Sequence, residues 1–116
     1  MGLSIQLEPG ETHWTLTLSG ELDYSECAPF RTMIDRVLKH SPPSTVVDLS
    51  GLDYMDSSGL GLLLSLSKEY GTTGGRLILI TNEAVDNILE LTRLAAIFSR
   101  AASLDEAHTM LADVTT

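Results

Sequence analysis

Apolar and polar residues alternate in two stretches near the start of the chain, residues 4–7 (Ser-Ile-Gln-Leu) and 13–18 (His-Trp-Thr-Leu-Thr-Leu). A period of two predicts half-buried strands. Glu8-Pro9-Gly10-Glu11 between them carries turn chemistry, so the pair reads as an antiparallel hairpin. From Ser25 the period lengthens: Cys27, Phe30, Ile34, Val37 and Leu38 recur at three and four residues, the spacing of one helical face, with Pro29 in the first turn. Ser41-Pro42-Pro43 stops that helix, because proline lacks an amide hydrogen and restricts the residue before it. Residues 45–49 (Thr-Val-Val-Asp-Leu) predict a short buried strand.

Residues 60–70 are apolar on nearly every side and predict the most buried helix, ended by Gly71 and Gly74-Gly75. The next strand is residues 76–80 (Arg-Leu-Ile-Leu-Ile). Asn82 is placed to cap a third helix with the face Val85, Ile88, Leu89 and Thr92, and residues 97–99 predict a short strand. Ser103-Leu104-Asp105-Glu106 has the form of a capping box and opens a last helix through Leu111. The order β-β-α-β-α-β-α-β-α predicts an α/β fold: a mixed, mostly parallel sheet of about five strands with an N-terminal antiparallel hairpin and about four helices.

A length of 116 residues, 43% hydrophobic and 20% charged, fits a single domain over residues 1–116. Such a chain buries enough surface to need no disulfide or metal, and the single Cys27 cannot form an internal bridge. The expected compartment is the cytoplasm. Met1-Gly2-Leu3-Ser4-Ile5 lacks the basic region and long apolar run of a secretion signal, and the apolar stretch 60–66 is too short to span a bilayer. Seven Lys and Arg against sixteen Asp and Glu give a formal charge of −9. The basic residues stand singly, so neither nucleic acid nor an anionic membrane is expected as a partner.

The densest polar motif is Asp56-Ser57-Ser58-Gly59-Leu60-Gly61. With Asp56 as N-cap, its carboxylate can accept the Ser58 or Gly59 amide, and Met55 and Leu60 fall at the two positions of a hydrophobic staple. Ser57 becomes the first helical residue, over unpaired amides and the positive end of the helix dipole, where a phosphate is well accommodated. Gly59 and Gly61 keep bulk away from that end, leaving room for another protein's backbone or a nucleotide. Taken locally, the motif also reads as an ordinary helix start.

The longer stretch Val46-Val47-Asp48-Leu49-Ser50-Gly51-Leu52-Asp53-Tyr54-Met55-Asp56-Ser57-Ser58-Gly59-Leu60-Gly61 resembles the signature of STAS domains, in particular bacterial anti-anti-sigma factors. So does Leu18-Ser19-Gly20-Glu21-Leu22-Asp23, and the element order agrees over nearly the whole chain. The resemblance implies a non-enzymatic partner switch without a cofactor of its own. The unmodified protein would bind an anti-sigma factor that is also an ATP-binding Ser/Thr kinase of the histidine-kinase-like fold, and so free a sigma factor. The kinase would then phosphorylate the serine after the motif's aspartate, here Ser57, with Ser58 the alternative acceptor. A metal-dependent serine phosphatase would reset it. Asp56 would support the switch loop and Asp23 would lie beside it. Leu22, Tyr54, Met55, Asp56, Ser57, Ser58 and Gly59 complete the expected partner surface, although Leu22 and Tyr54 equally suit simple packing.

Other roles fit the residues less well. Neither serine stands in a Gly-x-Ser-x-Gly elbow, and His13, His40 and His108 have no spacing that recommends a catalytic base or a metal centre. The glycine-rich run 71–76 lacks the Gly-Lys-Ser/Thr ending of a phosphate loop and reads as a turn. Trp14, Met33, Met55 and Met110 read as packing residues. The alternative that the resemblance leaves is a STAS interaction module of a stress-signalling or lipid-transport assembly. At this length a transporter tail is not expected.

Overall fold

Inward-facing leucines draw the strands together. In a computed structural model that describes residues 2–112, Leu3–Glu8 (β1) pairs antiparallel with Trp14–Leu22 (β2), setting Ile5 beside Leu18 and Leu7 beside Leu16. Ser44–Met55 (β3), Arg76–Ile80 (β4) and Ser99–Ala101 (β5) follow in parallel, so the five strands lie in chain order across one mixed sheet. The connections are Cys27–His40 (α1), Ser57–Thr73 (α2) and Glu83–Leu91 (α3), and Leu104–Ala112 (α4) follows β5. Two 3-10 turns, Tyr24–Glu26 and Ala95–Ile97, precede α1 and β5.

Alternation along the strands divides the core in two. The larger cluster joins Leu16, Leu18, Val47, Leu49 and Leu79 of the sheet to Phe30 and Ile34 of α1, Leu63 and Leu66 of α2, and Val85 and Leu89 of α3. The opposite face is smaller: Val46, Ile78, Ile80 and Ala101 pack on Ala107, with Met110 and Leu111 beside them. Each fully buried leucine contributes about 1.5–3 kcal/mol, which places most of the stability on the α1–α2–α3 side.

Several boundaries differ from the sequence expectation. The strand expected to end at Leu49 runs on to Met55, and the one expected to end at Leu18 runs on to Leu22. Past Asp48, β3 keeps β2 as its partner through register shifts, with Gly20 beside Leu52 and Leu22 beside Met55. Leu52 and Met55 are buried while Ser50, Gly51, Asp53 and Tyr54 are exposed, so the stretch lacks clean alternation and looks like a loop in sequence. Gly71 lies inside α2. The helix ends at Gly74, whose φ of 80° is the left-handed conformation glycine adopts without penalty. The last strand begins two residues later than expected because residues 95–97 form a 3-10 turn that buries Phe98. The hairpin, the Asn82 cap and the start of α2 stand where the sequence puts them, and Ser103 Oγ accepts the Glu106 amide at 3.1 Å.

Candidate functional site

The β3-to-α2 junction is built by one carboxylate. Asp56 Oδ1 accepts the amides of Ser58 at 2.9 Å and Gly59 at 3.3 Å, satisfying two of the donors a helix start leaves unpaired. Its Oδ2 accepts the Tyr24 amide at 3.1 Å, from the loop between β2 and α1. The Asp56 amide donates to the Leu22 carbonyl at 3.2 Å. Asp56 thus ties the two sequence motifs into one surface. Met55 and Leu60, the expected staple, are both buried in the same core cluster.

Ser57 is exposed as the first residue of α2, and its hydroxyl makes no hydrogen bond among the described residues. Ser58 is half-buried. The Asp23 carboxylate accepts Ser25 Oγ at 2.6 Å, and its carbonyl accepts the Glu26 amide and the Cys27 thiol. Burial pushes the Cys27 thiol up from its ordinary value, and the Asp56 and Asp23 carboxylates push in the same direction against Arg31.

Three expected contact residues lie under this surface. Leu22 is fully buried, and Met55 and Gly59 are buried with it. A Cβ on Gly59 would meet Leu22 Cγ at 2.6 Å and Cδ2 at 2.7 Å, so this glycine serves close packing of α2 on β2. Gly61 has open space around it. The exposed apolar surface belongs instead to Tyr54, half exposed, and to Tyr24, 80% exposed, which the sequence reading missed. Only its position directly after Asp23 hinted at it. Asn82 was read as a cap and does more: its Oδ1 accepts the Val85 amide at 2.8 Å while Nδ2 donates to the carbonyls of Leu52 at 2.8 Å and Ser50 at 3.1 Å, pinning the extension of β3.

Among the described residues no helix is long and apolar enough to cross a membrane, and no cluster of three or more metal-ligating side chains occurs. An exposed serine thus stands at the strand-to-helix junction that Asp56 ties to the Tyr24 loop. The STAS domain family model matches residues 4–107, and the chain belongs to that family. The anti-sigma F factor antagonist of Paenibacillus polymyxa is 31% identical over 96 residues, covering 81% of this chain and 82% of that protein. An anti-sigma factor antagonist from Mycobacterium paratuberculosis superposes with a TM-score of 0.86 at 26% identity, over 97% of this chain and 96% of that one. The Bacillus cell fate determinant SpoIIAA in its phosphorylated form gives 0.72 at 25% identity, over 93% and 99%.

Proposed function

We propose that this protein is an anti-sigma factor antagonist, a binding protein and not an enzyme, that works in the cytoplasm by partner switching. Unphosphorylated, it docks through Asp23, Tyr24, Tyr54 and Ser57 on an anti-sigma factor with ATP-dependent serine kinase activity, which releases a sigma factor. Transfer of phosphate to Ser57 ends the complex, and a serine phosphatase restores it.

The observation that supports this most is the exposure of the Ser57 hydroxyl, which makes no hydrogen bond among the described residues and follows a carboxylate that already accepts three backbone amides. Phosphate adds about −1.5 to −2 charge here. At about 6 Å and an effective dielectric near 20, two unit charges interact by roughly 3 kcal/mol. Since about 1.4 kcal/mol is tenfold in affinity, repulsion from a docked acidic surface or a steric clash suffices for release.

Incubation with a candidate anti-sigma kinase and ATP, followed by mass spectrometry, tests the reading. Phosphate is expected on Ser57, absent from Ser57→Ala and retained in Ser58→Ala. Stable binding to a lipid-transport ATPase with no phosphotransfer by any candidate kinase would overturn it.

A further inference from the structure

We propose that His13 and His108 form a two-imidazole site for a divalent transition-metal ion, Zn2+, Ni2+ or Cu2+, that fastens α4 to the entry of β2. The two rings come from elements far apart in sequence and stand with centroids 5.0 Å apart, tilted by 57° and not stacked. Metal–nitrogen bonds of about 2.0–2.1 Å at a tetrahedral angle place two imidazole centres roughly 5 Å apart, a separation that the observed spacing matches. They line a cavity of about 410 Å3 with Thr12, Ser44, Leu111 and Ala112, which leaves room for waters in the remaining coordination positions.

Thr12 Oγ1 lies 3.1 Å from His13 Nδ1, and an Nδ1 proton donated to it leaves Nε2 as the ligating atom, the outer hydrogen bond metal-bound histidines commonly make. His108 is exposed, and neither of its nitrogens makes a hydrogen bond among the described residues. The chain's charge of −9 attracts cations. Imidazole pairs suit these three ions, with Cu2+ bound tightest.

The site lies at the opposite end of β2 from Leu22 and the Asp56 junction, so it is independent of Ser57. Trp14, the chain's one tryptophan, is adjacent to His13 and reports occupancy. Cu2+ added to the full chain without a histidine tag is expected to quench Trp14 fluorescence saturably, and Zn2+ or Ni2+ to raise the melting temperature. Both effects should vanish in His13→Ala and in His108→Gln, weaken roughly tenfold or more in Thr12→Ala, and survive in His40→Ala. His40 is the control because its ring lies 4.9 Å from Trp14. Both ligand histidines are at least partly exposed, and far-UV circular dichroism verifies that the variants fold. Quenching that persists without His13 and His108, or that disappears only in His40→Ala, overturns the proposal.

Discussion

The carboxylate of Asp56 and the backbone amide of Tyr24, 32 residues apart in sequence, are joined by a 3.1 Å hydrogen bond that locks the β2–α1 loop to the first turn of α2. A cap that serves one helix also fixes the neighbouring loop, so a disturbance at either position is felt at the other.

Loss of this carboxylate should therefore cost more than an ordinary cap. Asp56→Ala removes the acceptor of three amides and is expected to destabilise the domain by about 2 kcal/mol, the upper end of the range for N-caps. Asp56→Asn keeps one carbonyl oxygen and should lose about half as much. Urea unfolding measures both, and amide exchange at Tyr24 should quicken in the alanine variant.

Gly59 and Gly61, two residues apart in the same helix, should respond oppositely to alanine. At Gly61 the new methyl meets nothing within 4 Å, so the helix gains about 0.5–1 kcal/mol from reduced backbone entropy. At Gly59 it runs into Leu22, whose side chain is fully buried and has nowhere to retreat. Overpacking costs about 1–3 kcal/mol and outweighs the same gain, so Gly59→Ala is expected to be less stable than the parent in thermal melts.

That contrast marks what the sequence could and could not reveal. Asp56, its staple and the hairpin are local devices, each written within a few residues, and all stand where the pattern put them. The inward role of Gly59 and the burial of Leu22 depend on strand pairing between residues over 30 positions apart, and periodicity carries no such information. The extension of β3 to Met55 escaped for a related reason. Its ladder has β2 on one side alone past Asp48, its burial breaks alternation, and part of its support comes from the Asn82 amide.

Asn82 allows the cap and the pin to be separated. Asn82→Asp keeps the oxygen that accepts the Val85 amide and replaces the donating nitrogen by an anion facing the Leu52 and Ser50 carbonyls. Asn82→Ala loses both functions. The aspartate should still cap α3 yet cost roughly 1–3 kcal/mol, the range for leaving buried polar groups unpaired. Loss of amide-exchange protection should be confined to residues 50–55 in the aspartate variant and extend into α3 in the alanine variant.

Tyr70 should give the domain an alkaline limit. Its phenol is buried and hydrogen-bonded with Thr45, and burial raises it above its ordinary value of 10.0, with the Thr45 bond opposing in part. A group raised in the folded state lends stability that is fully present below the unfolded value and is lost as pH rises through the folded value. Parent stability should hold up to about pH 10 and fall beyond it. Tyr70→Phe should be less stable by about 1–3 kcal/mol at neutral pH, because Thr45 loses its partner, and should show a flatter decline above pH 10. Urea midpoints from pH 7 to 11 supply the comparison.

Replacement of Ser57 by aspartate should separate stability from recognition. The first turn of a helix favours negative charge by about 0.3–1 kcal/mol, so Ser57→Asp should melt at the parent temperature or slightly above it. On the proposed docking surface the same charge adds to those of Asp23, Asp53 and Asp56. Affinity for the anti-sigma kinase should then drop about tenfold, equivalent to roughly 1.4 kcal/mol, and by more for phosphate, whose charge is larger. Calorimetric titration measures the affinity, and amide chemical shifts locate the structural change. Shifts restricted to α2's first turn and the Asp23–Tyr24 loop are expected. Large shifts throughout the Leu16–Leu49–Leu79 core would mean that the modification acts by refolding the domain and not by altering its surface.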